Sequence, residues 1–170
     1  MNAEQAKFLA QHYAASMENE FVATCKVLAA VGGGNRDYKP DDKSRTAWEL
    51  ATHIATADVW FLDSVLHGKF EMDPEAQKAA EAQFKTVDDV LAFYKKTFPE
   101  KLKALREASG EAMARDVDFF GIMQMPAASF LALANNHTMH HRGQLAAYLR
   151  ALGSKVPAIY GGSADEPMNG

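Results

Sequence analysis

Apolar residues recur along this chain at helical spacing much more often than at the alternation of a strand. Between residues 3 and 31, Leu9, Tyr13, Met17, Phe21, Thr24, Leu28 and Val31 follow one another in steps of three and four, which predicts a long amphipathic helix. The run Gly32 to Asn35 ends it. Thr46 and Glu49 form a capping box, with Ser44 as an alternative cap, ahead of a second helix that runs to about His67 and stops at Gly68. Residues 69 to 86 read as a long connection holding one short helix that opens at Pro74. A third long helix over about 87 to 109 carries Leu91, Tyr94, Phe98, Leu102 and Leu105, and Pro99 inside it should kink it or split it in two. Residues 110 to 125 look irregular, with "VDFFGIM" able to contribute a short strand or turn. Pro126 suits the first turn of a fourth long helix, which ends near Leu152 with Gly153 as its stop. The tail, from about 154 to 170, has turn chemistry and few apolar anchors beyond Val156, Ile159 and Tyr160.

Four long helices with apolar stripes predict an all-α fold, a four-helix bundle with long connections and an irregular C-terminal tail, in a single domain over 1–170. Composition agrees, because 48% hydrophobic residues in 170 suffice for a core without disulfides. A net charge of −4 leaves no broad basic surface for phosphates, so no nucleic-acid partner is expected. "GGGN" lacks the Lys-Ser/Thr ending of a phosphate-binding loop. Cys25 is alone, which rules out an intramolecular disulfide and fits a reducing compartment. "MNAEQAKFLAQ" lacks a basic region followed by an apolar run, and no stretch approaches the roughly 20 apolar residues that span a bilayer. A cytoplasmic protein without a membrane partner is the expectation.

Candidate chemistry sits in "HTMHHRGQL", residues 137 to 145, where His137, His140 and His141 crowd one helix. At about 100° per residue with His137 at zero, the stripe of Phe130, Ala134, Leu145, Tyr148 and Leu152 centres near about 50°. His141 then lies at about 40°, within the stripe, His137 at its edge, and His140 at about 300°, well off it. An i, i+4 pair lets two imidazoles converge on one ion. The second helix offers a third, since His53 lies between Leu50 and Ile54 on the inward stripe continued by Ala57, Phe61 and Val65. Two readings follow. The three histidines share a divalent ion, or each is a core residue hydrogen-bonded to a neighbour, because an unpaired buried ring nitrogen costs roughly 1–3 kcal/mol.

"HTMHHRGQL" resembles the H-x-x-x-H-R-G-Q signature of the DinB family, damage-inducible-type proteins that include bacterial thiol-dependent transferases. "SRTAWELATHIA" is similar to the family's second-helix segment, and "YLRALGSKVPAIYGGSADE" to its last helix and tail, although Gly162 stands where proline is expected in many relatives. The resemblance covers essentially the whole chain. It implies a four-helix bundle, often a homodimer, with His53, His137 and His141 as ligands of one divalent metal ion. Zinc or nickel is implied, with iron also compatible with three imidazoles. It further implies a small-molecule substrate and a metal that activates a low-molecular-weight thiol, as in an S-transferase, or water, as in a hydrolase. The alternative is a non-catalytic metal-binding protein of the stress response that contacts a partner.

Glu20, within the inward stripe of the first helix, is a candidate to orient a ligand or act as general base, or else reaches water from the stripe edge. Arg142 and Gln144 belong to the signature but flank the stripe, which suits packing, inter-helix hydrogen bonds or a subunit contact. Tyr13, Trp60, Phe61 and Tyr148 are candidates to line a pocket beside the metal, or are plain core. Cys25 has no electropositive company and reads as neither ligand nor nucleophile. His12 and His67 look solvent-facing. Met139, Ala146 and Ala147 mark an apolar outer face on the fourth helix that hints at a dimer contact. Ferritin-like di-iron chemistry is argued against, because repeated Glu-x-x-His motifs are absent.

Overall fold

Three of the long helices begin on side chains that satisfy their own first turn. In the computed structural model, which describes residues 1–168, Asn2 and Gln5 form a capping box on α1 (Ala3–Ala30). Thr46 and Glu49 do the same for α2 (Ala47–His67). The short α3 (Pro74–Ala82) starts on Asp73, and α4 (Val87–Glu107) on the pair Thr86 and Asp89. Each box satisfies orphan backbone donors at both ends of the first turn, which makes these starts legible in sequence. α2 stops at Gly68, whose φ of 70° is left-handed. A Cβ there would meet the guanidinium of Arg115, which donates to the Leu66 carbonyl at 2.6 Å and closes the helix end.

The four long helices are α1, α2, α4 and α6 (Phe130–Ala151). α1 and α2 each pack against both α4 and α6, so the four close into a ring around one continuous apolar cluster. No helix among the described residues is long and apolar enough to cross a membrane.

The structure corrects the sequence reading in two places and removes one of two alternatives in a third. The fold is not purely helical, because residues 110 to 126 form α5 (Gly110–Ala114) and an antiparallel hairpin of β1 (Asp116–Phe119) and β2 (Met123–Pro126). "DVDF" does alternate, with Val117 buried, but four residues are too few to separate a strand from a turn by pattern. α5 packs on α1 where Gly110 lies so near Ala3 that a Cβ would sit 2.2 Å from its carbonyl oxygen. Pro99 does not split α4, which is continuous through it. Pro99 and Lys95 are both on the exposed face, where water serves the carbonyl left without a donor. Pro126 ends β2 instead of opening a helix, and a 3₁₀ turn over Ala127–Ser129 leads into α6. The tail packs as irregular chain held by Asp165, which accepts from Arg150 at 2.7 Å and from the Val156 amide at 2.8 Å; the end of the predicted tail, 169–170, lies outside the described residues.

Candidate metal centre

His53 stands in the second turn of α2, and His137 and His141 one turn apart in the middle of α6. Sequence left open whether these levels coincide. Packing of α2 on α6 brings them together, with one ring nitrogen from each of the three within 4.8 Å of the other two. His53 Nε2 and His137 Nε2 are 3.3 Å apart. Ring centroids are separated by 4.4 Å for His137–His141, 4.8 Å for His53–His141 and 5.2 Å for His53–His137. His140, His12 and His67 face solvent. His137, placed at the stripe edge by the helical wheel, is half-buried like His141 and has the ring of Phe61 of α2 at 5.1 Å.

Protonation at the cluster follows from its surroundings. Burial first, then Arg45 and the neighbouring imidazoles, pushes His53 down to about 3. Burial first, then His141, His140 and Arg45, pushes His137 down to about 4. His141 is lowered as well, burial leading and a hydrogen bond to Gln144 opposing it. All three are therefore neutral near pH 7, the form that ligates metals.

Tautomers decide where the lone pairs point. His141 Nδ1 lies 2.8 Å from Gln144 Oε1, so it donates its proton there and leaves Nε2 bare. His53 Nδ1 lies 3.4 Å from Glu81 Oε1 of α3, close enough for attraction though without hydrogen-bond geometry. A carboxylate on that side favours the proton on Nδ1 and so a bare Nε2, which faces His137. His137 Nδ1 is buried with no partner. Without an ion, His137 can carry its proton on Nε2 and donate it to His53 Nε2 at 3.3 Å; a cation between the three rings engages one nitrogen of each at once. The 3.3 Å spacing of the His53 and His137 Nε2 atoms suits one, since two imidazole nitrogens bound tetrahedrally to zinc at about 2.0–2.1 Å lie about 3.3–3.4 Å apart.

The cluster opens on a cavity of about 380 Å³ between α2 and α3. His53 and His137 form part of its wall, and Trp60, Phe61 and Phe119 much of the rest. Trp60 is fixed by a 2.9 Å hydrogen bond from Nε1 to the Glu71 carbonyl. Of the aromatics singled out in sequence, Trp60 and Phe61 line this cavity; Tyr148 packs edge-on against Tyr38, and Tyr13 against His12.

Residues 1–168 match the family model described as DinB. The chain belongs to the DinB family. This DinB chain is similar to the YjoA protein of Bacillus subtilis strain 168, at 32% identity over 141 residues that cover 81% of it and 86% of YjoA. A solved DinB-like protein from Bacillus cereus ATCC 10987 superposes with a TM-score of 0.69 at 27% identity, covering 87% of this chain and 95% of that one. A mycothiol-dependent maleylpyruvate isomerase shares the fold, with a TM-score of 0.51 at 15% identity over 91% of the DinB chain and 62% of the isomerase.

Glu20 lies apart from the three-histidine group, against buried Arg142, with a 2.6 Å ion pair to the guanidinium and a 2.8 Å hydrogen bond from the Tyr160 hydroxyl. Arg142 also donates to the Glu20 carbonyl and to Thr24, and its guanidinium contacts the Tyr160 hydroxyl. Cys25 is half-buried, and burial pushes its thiol up to about 11, the condition of an inert cysteine.

Two residues escaped the sequence reading. Glu81 left no signal, because a glutamate on a short polar helix has no defined neighbour until that helix docks. Asp58 did leave one. It stands four residues from both Ile54 and Leu62, on the inward face of α2, where a carboxylate is out of place. In the structure Asp58 is buried and accepts 2.7 Å hydrogen bonds from Tyr94 of α4 and Thr138 of α6. Burial outweighs those bonds and the nearby Arg142, and pushes its carboxyl up to about 7.

Proposed function

We propose that α1, α2, α4 and α6 act as a four-helix bundle, in a single domain over 1–170, carrying a metal-dependent enzyme site for a small molecule. His53, His137 and His141 hold one divalent ion, zinc or nickel in the first instance and iron as a further candidate. The observation that carries this reading is the convergence of three neutral imidazoles, one nitrogen of each within 4.8 Å of the other two, with His53 and His137 on the wall of a mostly apolar cavity. An ion with three protein ligands keeps at least one position for a non-protein ligand and supplies a Lewis acid that makes a thiol or water nucleophilic near neutral pH.

The chain's own residues prepare that chemistry. Gln144 takes the proton of His141 Nδ1 and so aims Nε2 inward. Glu81, 3.4 Å from His53 Nδ1, favours a proton on that nitrogen by charge alone. Trp60, Phe61 and Phe119 exclude water from the approach. A fourth protein ligand would close the site as a purely structural one, and the inward carboxylate of Glu20 is engaged by Arg142 and Tyr160 instead. That observation favours an enzyme over a non-catalytic metal-binding protein of the stress response. A low-molecular-weight thiol is the favoured second substrate, because the fold is shared with an enzyme that depends on mycothiol, which makes S-transfer the first reaction to assay and hydrolysis the second. The reading includes a cytoplasmic location, as the lone Cys25 suggests, and a homodimer through the outer face of α6 at Met139, Ala146 and Ala147, checked by light scattering.

The deciding experiment is metal content of protein purified without an affinity tag. About one divalent ion per chain is expected, lost in His53→Ala, His137→Ala and His141→Ala and kept in His140→Ala. A folded wild type that carries no ion and takes up neither zinc nor nickel would falsify the metal-dependent reading.

A further inference from the structure

The cavity beside the histidines has a chemistry of its own. Its walls are apolar over most of their extent, built from Ala57, Trp60 and Phe61 on one side, Ala76 and Ala80 of α3 on another, and Phe119 of the hairpin. The polar residues at its edge carry no positive charge: Thr56 and Gln77 are neutral, and Glu71 and Asp73 are acidic. Both acids are already engaged, Glu71 by Lys69 and Asp73 as the cap of α3. No lysine or arginine lines the space. Away from the histidines, an anionic group placed there would lose water and gain no counter-charge from a side chain, a net cost for a carboxylate, phosphate or sulfonate at that end.

Size narrows the occupant further. At about 380 Å³ the cavity is near the lower end of the range for small-molecule sites, room for one or two rings and not for a nucleotide-sized ligand. Its aromatic side chains are oriented to receive a ring. Trp60 and Phe61 stand edge to face at 4.8 Å between centroids, and Trp60 is held in that orientation by the Glu71 carbonyl.

We infer that this cavity binds the uncharged apolar portion, an aromatic ring or a short alkyl group, of the molecule whose reactive end meets the three histidines. The inference rests on the enzyme reading above and names its substrate class: small, ring-bearing or short-chain, and uncharged at the end away from the metal. α3 supplies the outer wall and buries no side chain of its own in the core, so its inward alanines are free to define the space without cost to the fold. Ala76→Trp fills the cavity from an exposed position, and Ala76→Arg introduces the missing cation.

The test is titration of the full-length protein with 2-acetylnaphthalene, which is neutral, and naphthalene-2-sulfonate, which is anionic and a poor metal ligand, followed by ligand-observed NMR. Metal content is measured on the same samples. The neutral probe is expected to bind wild type at least about tenfold more tightly than the sulfonate. Ala76→Trp should weaken it by about tenfold or more with metal content unchanged, and Ala76→Arg should narrow or reverse the preference. Equal binding of the two probes to wild type, a preference for the sulfonate, or no binding of the neutral probe overturns the inference. None of these comparisons depends on the variants folding. In wild type, no binding of the neutral probe with metal intact sinks the cavity reading alone, as does unchanged binding to a folded Ala76→Trp. Absence of metal with selective probe binding sinks the metal reading alone.

Discussion

Two buried polar regions lie on the same helices, and they are built in opposite ways. Around Asp58 and Arg142, donors and acceptors are matched. Tyr94 and Thr138 donate to Asp58, and Arg142 meets Glu20, Thr24 and Tyr160. Around His53, His137 and His141 the matching is incomplete: one 3.3 Å contact links the Nε2 atoms of His53 and His137, and Nδ1 of both rings is buried without a hydrogen-bond partner. A matched network is complete in the folded chain and serves to tie α1, α2, α4, α6 and the tail together. An unmatched one is costly unless something outside the chain completes it. That difference separates a structural polar cluster from a binding site, although both look like polar residues in a core.

The comparison can be broken most forcefully at Arg142, which is only 2% exposed. Arg142→Ala strands Glu20 and Thr24 and should cost about 3–5 kcal/mol in chemical denaturation, the range for removing one partner of a buried pair. A loss within experimental error would show that the network does not bind the helices together.

The two regions should also respond to pH with opposite signs. Asp58 has a folded pKa of about 7, above its ordinary value of 3.8, so its protonated form is favoured in the folded chain. Its contribution to stability is full below about pH 4 and declines as pH rises toward 7. His53 and His137 have folded pKa values of about 3 and about 4, below the ordinary 6.5, so their contribution is present above pH 6.5 and declines as pH falls through those values. Melting temperature followed from pH 3 to 8 on metal-free protein should show the two trends partly cancelling. Asp58→Asn should remove the loss on the neutral side and leave the acid loss in place; an unchanged profile would mean that Asp58 does not titrate in this window.

The smallest change sharpens the comparison instead of breaking it. Gln144→Ala removes the acceptor that orients His141. Gln144 is exposed, so stability should stay within about 0.5 kcal/mol. Metal affinity should fall by roughly 10–100-fold, the usual effect of losing a group that orients a ligating histidine. A chelator-competition titration reads this directly, and equal affinity in the two proteins would free Gln144 of that role.

Much of this protein is legible along the chain because the information is local. Capping boxes at Thr46 and Glu49, the stop at Gly68 and the period of apolar residues each involve residues within one or two turns, so the long helices follow from neighbours alone. The same holds for the inward orientation of His53, His137 and His141 and the outward one of His140, which are matters of angle on a single helix. The hairpin was legible only as a candidate strand or turn, because its strands are four residues each and Phe119 packs on Phe70, far away in sequence, as well as on Phe130 at the start of the next helix.

What sequence determined by itself, then, is the set of long helices, the faces they present, and membership in a family whose signature is written in consecutive residues. Only the tertiary structure decided that His53 meets His137 at 3.3 Å, that Glu81 attends His53, that Glu20 turns to Arg142, and that α3 walls a mostly apolar cavity, lined by no lysine or arginine, beside the histidines. The reason is physical. Helix faces follow from a fixed rotation per residue, whereas the level at which two helices dock is set by packing summed over both of them, and no single stretch of chain contains that sum.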